Sequence, residues 1–440
     1  MNKVINIVGG GLAGCECAYF LAEHGFNVKL YEMKPIKFSP AHHKETLAEI
    51  VCSNSFKNEG KTTSSGLLKA EMKELGSVIL KVAEEVRVPS GGALAVDREK
   101  FTEKMDKLIK SHKNIQVIEQ EIQEIDPSTK DIWVIATGPL TSEPLMRSIC
   151  RLIGEDSLYF FDASAPIVTK ESLDFNKCFY QNRYGECGKG DYVNCPLTKQ
   201  EYDIFYNELI NADKVILKDF EKNIFEGCMP IEVIASRGKD SLRFGPLKPV
   251  GFNNNPLAIK PYAIVQLRKE NLIEESFNIV GFQTNLKFGE QKRVFSLIPA
   301  LKNAEFIKYG VMHKNCFINA PSHLNSDFSL RNNPNIYFAG QISGVEGYME
   351  STASGLVVAI SILMRYNNSR LQLTNESMIG AISSYISNSA NANNFQPMNS
   401  NYGIIKELTE TIKDKEQKRL LIYDRAINQI KQIKEKINEY

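Results

Sequence analysis

Read for hydrophobic period alone, the chain opens on a strand–helix–strand unit. Val4 to Val8 is a short, mainly apolar run of strand length, with Asn6 inside it. Leu12 to His24 carries apolar residues at helical spacing and stops at Gly25. Asn27 to Tyr31 then makes a second strand that ends in Glu32. Two later runs have the same character: Ile132 to Ile135 leads into Ala136-Thr137-Gly138, and Ile336 to Phe338 leads into Ala339-Gly340-Gln341 and on through Gly344 and Gly347. Between them, residues 151–333 alternate short strands (Tyr159 to Phe161, Ile231 to Ala235, Ala263 to Leu267) with helical pieces and turns such as Gly251 to Pro256. Near the end, Ile427, Ile430, Ile433 and Ile437 recur at steps of three and four, one apolar helix face suited to packing on the body.

The turn after the first strand reads Gly9-Gly10-Gly11-Leu12-Ala13-Gly14, a GxGxxG fingerprint with strand before it and helix after it. Gly9 permits the tight turn, Gly11 lets backbone approach a pyrophosphate, and Gly14 lets helix and strand pack closely. The helix start offers free N–H groups to phosphate. Glu32 is placed to accept the hydroxyls of an adenosine ribose, which favours FAD or NAD over NADP. The mid-chain Ala-Thr-Gly strand and the late strand–glycine–helix segment follow the layout of FAD folds of the glutathione-reductase type, with the late helix start under the flavin. The predicted class is α/β: a glutathione-reductase-type FAD-binding Rossmann domain with an inserted α/β domain and C-terminal helices. The segments expected are 1–150 (FAD-binding, first part), 151–333 (inserted substrate or RNA domain), 334–366 (FAD-binding, return) and 367–440 (C-terminal helical region).

Composition narrows the class without naming a partner. With 440 residues, 43% apolar and 24% charged, the chain is an ordinary globular one of more than one unit, not disordered, collagenous or disulfide-built. The run Leu356 to Met364 is too short to cross a bilayer, and no leader pattern follows Met1, so a cytoplasmic protein is expected. Nine cysteines show no CxxC spacing, and no metal site is expected. Cys15, Cys17, Cys178, Cys187 and Cys195 read as buried small residues.

Several strings resemble one family nearly word for word: Pro40-Ala41-His42-His43, Val51-Cys52-Ser53-Asn54-Ser55, the run from Val88 to Arg98, the run from Ala136 to Ser142, Phe225-Glu226-Gly227-Cys228-Met229-Pro230, Phe244-Gly245-Pro246, Val280 to Thr284 and Phe338 to Ser354. Along almost its whole length the chain is similar to the folate- and FAD-dependent tRNA (uracil-5-)-methyltransferases of the TrmFO type. Flavoproteins of the GidA type look similar at the N-terminus but carry a longer C-terminal region. The resemblance implies transfer of the one-carbon unit of 5,10-methylenetetrahydrofolate to carbon 5 of a uridine in the tRNA T-loop, with FAD bound and NAD(P)H as reductant. Carbon 5 becomes nucleophilic only after a nucleophile adds to carbon 6, and a thiolate suits that step. The resemblance assigns Cys228 as that nucleophile and Cys52 as the base near the flavin, Cys52 otherwise only shaping the flavin pocket. Cofactor contacts are expected from Gly9, Gly10, Gly11, Leu12, Ala13, Gly14, Glu32, Arg98, Gly138, Gly340, Gln341, Gly347 and Tyr348, the last placed to stack on a flavin or folate ring or to pack in the core. His42 and His43 are offered for folate glutamates or phosphate, or for a plain surface-loop role.

Net charge is +1, so any RNA contact must come from a local patch. From Arg237 to Lys269 there are seven basic residues against one acid, Asp240. Arg237, Lys239, Arg243, Lys248, Arg268 and Lys269 are therefore RNA-binding candidates, beginning nine residues beyond Cys228. Two strings depart from the family: Tyr402-Gly403 is followed by Ile404-Ile405-Lys406 with no proline, and the loop Gly185 to Gly190 is private to this chain. The family includes paralogues that methylate 23S ribosomal RNA, so tRNA and ribosomal RNA both stay open as partners. A flavin oxidoreductase acting on a small molecule is the alternative of another class. NADH or NADPH, and monomer or homodimer, also stay open.

Overall fold

The computed structural model describes residues 4–186, 188–216, 229–252 and 255–440. Its main sheet has five parallel strands in the order Ile336–Phe338, Ile132–Ile135, Val4–Val8 (β1), Asn27–Glu32 (β2), Ile115–Glu119. Helix Leu12–Glu23 (α1) joins β1 to β2 and ends where Gly25 turns at φ +78°. The strand order reverses at β1, the point at which such sheets open a crevice beyond their carboxyl ends.

Helix Tyr348–Tyr366 lies against α1 along much of its length. Gly355 makes that approach possible, because a Cβ there would fall 2.2 Å from the Ala13 carbonyl oxygen. The apolar stretch Leu356 to Met364 is buried inside this layer. Two buried glutamates tie neighbouring helices to it. Glu16 accepts the N–H groups of Val78 and Ile79, and Glu71 those of Met378 and Ile379, so each carboxylate satisfies the open end of another helix. The C-terminal helix Lys415–Ile437 packs on helix Ser64–Glu74 through Ile422, Ala426, Ile430, Ile433 and Ile437. Ile427 sits at the flank of that face, half-buried.

The inserted region builds a second core around an antiparallel six-stranded sheet, ordered Phe179–Tyr180, Tyr192–Leu197, Ala263–Lys269, Ser276–Ile279, Ile167–Thr169, Phe306–Lys308. Helix Lys199–Asn211, opened by a Thr198–Glu201 capping box, covers it with Tyr202, Phe205 and Leu209. Tyr159 to Phe161 and Ala263 to Leu267 are strands as expected. Ile231 to Ala235 is not: residues Ile231–Ser236 form a short helix. A five-residue apolar run does not separate strand from helix by period. Here tertiary contact decides, since the buried Glu232 carboxylate accepts from the Thr284 hydroxyl at 2.9 Å and the Asn285 N–H at 2.7 Å.

Candidate active site

A cleft opens beyond the carboxyl ends of β1, β2, Ile132–Ile135 and Ile336–Phe338, lined by Gly9 to Ala13, Glu32, Thr137, Gly138, Gly340, Gln341 and Tyr348. The glycines of the first turn differ in what they do. Gly9 takes φ +104° with its missing Cβ 2.5 Å from the Ala136 oxygen, and a Cβ on Gly14 would fall 1.9 Å from the Gly9 oxygen. At Gly11 a Cβ would meet nothing within 4 Å, so the backbone itself faces open space. No side chain caps the N-terminus of α1, which leaves its first N–H groups and positive dipole end for an anion. The Glu32 carboxylate is fixed at the end of β2: Oε2 accepts the Gly10 N–H at 2.7 Å and Oε1 the Lys34 N–H at 3.1 Å. A pyrophosphate cradle with an acidic ribose acceptor beside it fits a dinucleotide. Gly14, inside α1, and Gly347 do not line the cleft: Gly347, at φ +110°, leads into helix Tyr348–Tyr366.

Cys52 stands behind the cleft wall. Val51 and Tyr348 line the cleft, and the Cys52 N–H donates to the Tyr348 hydroxyl at 2.8 Å, with the Ser53 N–H at 3.3 Å. Burial, reinforced by Asp162 and opposed by Arg98 and Lys308, pushes the Cys52 thiol up to about 12. Arg98, expected at the cofactor, does not line the cleft. Its guanidinium donates to the Ile50 and Cys52 carbonyls at 2.5 and 3.4 Å and pairs with Glu270 at 2.8 Å, so it holds the thiol's loop instead. Cys228 lies outside the described residues, and the chain continues from a buried Met229.

Groups that the linear sequence did not single out gather around this loop. The Lys308 ammonium donates to the Val51 carbonyl at 2.8 Å. Asp162 and His313 are cross-strand neighbours in the pairing of Met312–Phe317 with Leu158–Ala163. Burial, then Lys308 and the two histidines His42 and His43, lower His313. Burial pushes Glu346 up to about 7, with Lys57 opposing and Asp162 and Glu350 reinforcing. His42 itself lines the cleft, with Ser39 Oγ 2.5 Å from its Nδ1, while His43 is exposed and its N–H donates to Glu49. Lys34 had a usable signal, since positions just past a parallel strand's carboxyl end line such crevices. The others come from positions far apart in the chain.

The basic stretch divides. Arg268 and Lys269 are buried, Arg268 bonded to Ser53 and Asn54 and Lys269 paired with Glu274, so neither presents charge to a nucleic acid. They end the strand Ala263–Lys269, which other strands flank, and that carries them inward. Lys239 pairs with Asp203, and Arg243 pairs with Asp240 and lies over the Tyr262 ring. Arg237, Lys239 and Lys248 are exposed. Among the described residues, no group of three or more His, Cys, Asp or Glu is arranged to hold a metal ion.

A parallel sheet with a glycine turn and a buried carboxylate at its reversal point has the layout of a dinucleotide-binding α/β protein of the flavoprotein type. The model of the glucose inhibited division protein A family matches residues 4–370. The chain is 52% identical over 442 residues to the methylenetetrahydrofolate–tRNA-(uracil-5-)-methyltransferase TrmFO of Acetivibrio thermocellus, covering 100% of both chains. It is 52% identical over 433 residues to the TrmFO of Fusobacterium nucleatum, covering 98% of this chain and 99% of that one. Among solved structures, Aquifex aeolicus GidA superposes with a TM-score of 0.71 at 16% identity, over 100% of this chain and 74% of that chain, which is a likeness of fold. The chain belongs to the GidA family and, within it, to the TrmFO group.

Proposed function

We propose that this protein transfers the one-carbon unit of 5,10-methylenetetrahydrofolate to carbon 5 of a uridine in the tRNA T-loop, with FAD as its bound cofactor and NAD(P)H as reductant. The observation that carries the reading is the 52% identity over the whole chain to a relative named for folate-dependent methylation of tRNA uracil. The cleft supports it: the turn from Gly9 to Gly14 suits a pyrophosphate, and Glu32 a ribose. Gly138, Gly340, Gln341 and Tyr348 supply the remaining wall for the flavin end.

In this reading the Cys228 thiolate adds to carbon 6 of the uracil and makes carbon 5 an enolate-type nucleophile. Cys52 takes the proton that leaves carbon 5. Reduced FAD, when bound, supplies the hydride that completes the methyl group. A thiol pushed up to about 12 is protonated at neutral pH. Cys52 therefore becomes a base only when bound reactants or a shift of its loop relieve its burial. Arg237, Lys239, Arg243 and Lys248 are the phosphate contacts in this account. The protein then works in the cytoplasm, where its substrate is. No helix of the described residues is long and apolar enough to cross a membrane.

The test is to incubate the protein with labelled methylenetetrahydrofolate, NADPH, and either unmodified tRNA or 23S ribosomal RNA. Label in 5-methyluridine of the tRNA alone is the expected result. Label in ribosomal RNA alone, or NADPH turnover with no RNA labelled, overturns the reading.

A further inference from the structure

We infer that Arg268 of the inserted region is a positioning residue for the Cys52 thiol, clamping the loop that carries it across the seam between the two cores. This rests on the reading in which Cys52 takes part in the reaction. The Arg268 side chain is 7% exposed and sits near the end of strand Ala263–Lys269. Its Nε donates to Asn54 Oδ1 at 2.9 Å and its Nη2 to Ser53 Oγ at 2.7 Å, the two side chains that follow Cys52. Neither acceptor is charged. Burying a guanidinium without a bonded carboxylate is costly, so its use here calls for a purpose beyond packing.

The nearby carboxylate is Glu270, and its Oε2 is already bonded to Arg98, at 3.0 Å to Nε and 2.8 Å to Nη2. One carboxylate thus sits beside two guanidiniums that grip opposite ends of a single loop. Arg98 holds the Ile50 and Cys52 carbonyls, and Arg268 holds Ser53 and Asn54. Asn54 Nδ2 donates back to the Lys269 carbonyl at 3.0 Å, and Lys308 holds Val51. Glu270 Oε1 is buried with no hydrogen-bond partner among the described residues, which leaves this junction one donor short of saturation. The inserted region therefore holds the loop that carries the thiol, and Arg268 is its contact to the two side chains that follow Cys52. Lysine cannot replace it, since a single ammonium does not present the planar fork that spans Ser53 and Asn54.

The test uses the flavin-loaded full chain and follows iodoacetamide alkylation of Cys52 against pH by peptide mapping, in wild type, Arg268→Lys and Ser53→Ala. Arg268→Lys is expected to raise Cys52 alkylation near neutral pH by on the order of tenfold and to shift its pH profile toward the ordinary thiol range. Flavin absorbance stays, and kcat for methylation falls while KM for tRNA changes little. Ser53→Ala moves the same readouts in the same direction by less, and decides the matter if Arg268→Lys does not fold. Alkylation and kcat within about twofold of wild type in the folded variants overturn the positioning role. Cys52→Ser at full methylation rate instead removes Cys52 from the reaction, a distinct failure that takes the proposal with it.

Discussion

The Tyr348 hydroxyl accepts the backbone N–H of Cys52 at 2.8 Å, joining positions 296 apart in the chain. The same ring lines the cleft and meets Phe56 edge-on at 5.8 Å. A tyrosine at the start of the return helix therefore fixes both a wall of the cofactor cleft and the backbone of the thiol's loop. Stacking alone would be served as well by phenylalanine. The hydroxyl is what links the two.

Tyr348→Phe separates these duties. It keeps the ring and leaves the Cys52 and Ser53 N–H groups without their acceptor, at a cost of ~1–3 kcal/mol. The expected outcome is a lowered Tm by thermal melt, retained flavin absorbance, and methylation reduced by on the order of tenfold through misplacement of the loop. Lost flavin with unchanged melting would assign Tyr348 to the cofactor alone.

Glu32→Gln tests the ribose acceptor. The carboxylate is already oriented by the Gly10 and Lys34 N–H groups, and the amide replaces one acceptor oxygen with a donor. Hydrogen bonds to a charged group contribute ~1.5–3 kcal/mol, so FAD affinity should weaken by about ten- to a hundredfold. Flavin fluorescence titration of the apoprotein measures it. The fold itself should survive, because the Gly9-to-Gly14 turn is set by backbone sterics.

Glu71 and Glu16 make stability depend on pH. Burial outweighs the two N–H donors at each carboxyl and pushes Glu71 up to about 8 and Glu16 up to about 7, from 4.5. A carboxyl raised on folding binds its proton more tightly in the native state. Its contribution is therefore fully present below the unfolded value and is lost as pH rises through the folded one. Urea midpoints should fall from about pH 5 to pH 8, and Glu71→Gln should flatten that slope. Equal slopes for the two proteins would show that Glu71 is ionised throughout.

The glycine turn proposed to hold the cofactor was legible because its demands are local. Gly9, Gly11, Gly14 and Glu32 lie within one strand–helix–strand unit, where a Cβ on Gly9 or Gly14 would collide with backbone and Gly11 leaves its backbone facing open space. The thiol half was not, because its geometry is made by pairs such as Arg268 with Asn54 and Lys308 with Val51, brought together only by the fold. Counting charge along the chain placed Arg268 and Lys269 on a surface. A sheet's interior strand, buried on both faces, shows no alternation from which their burial could be read. Arg98, expected at the cofactor from the resemblance, opens helix Arg98–Lys110, and its pairing with Glu270 turns it to the loop. Ile231 to Ala235 failed on length, being too short for its period to speak.

The central claim is that two thiols, Cys52 and Cys228, serve one uridine beside the flavin cleft. The most direct measurement is covalent capture with tRNA carrying 5-fluorouridine, in the presence of methylenetetrahydrofolate and NADPH, read as a shifted band on a denaturing gel. The fluorine blocks the proton loss that would release the nucleophile, so wild type should be trapped, and Cys228→Ala should give no band. An undiminished band in Cys228→Ala, or none in wild type under conditions that methylate ordinary tRNA, would contradict the account.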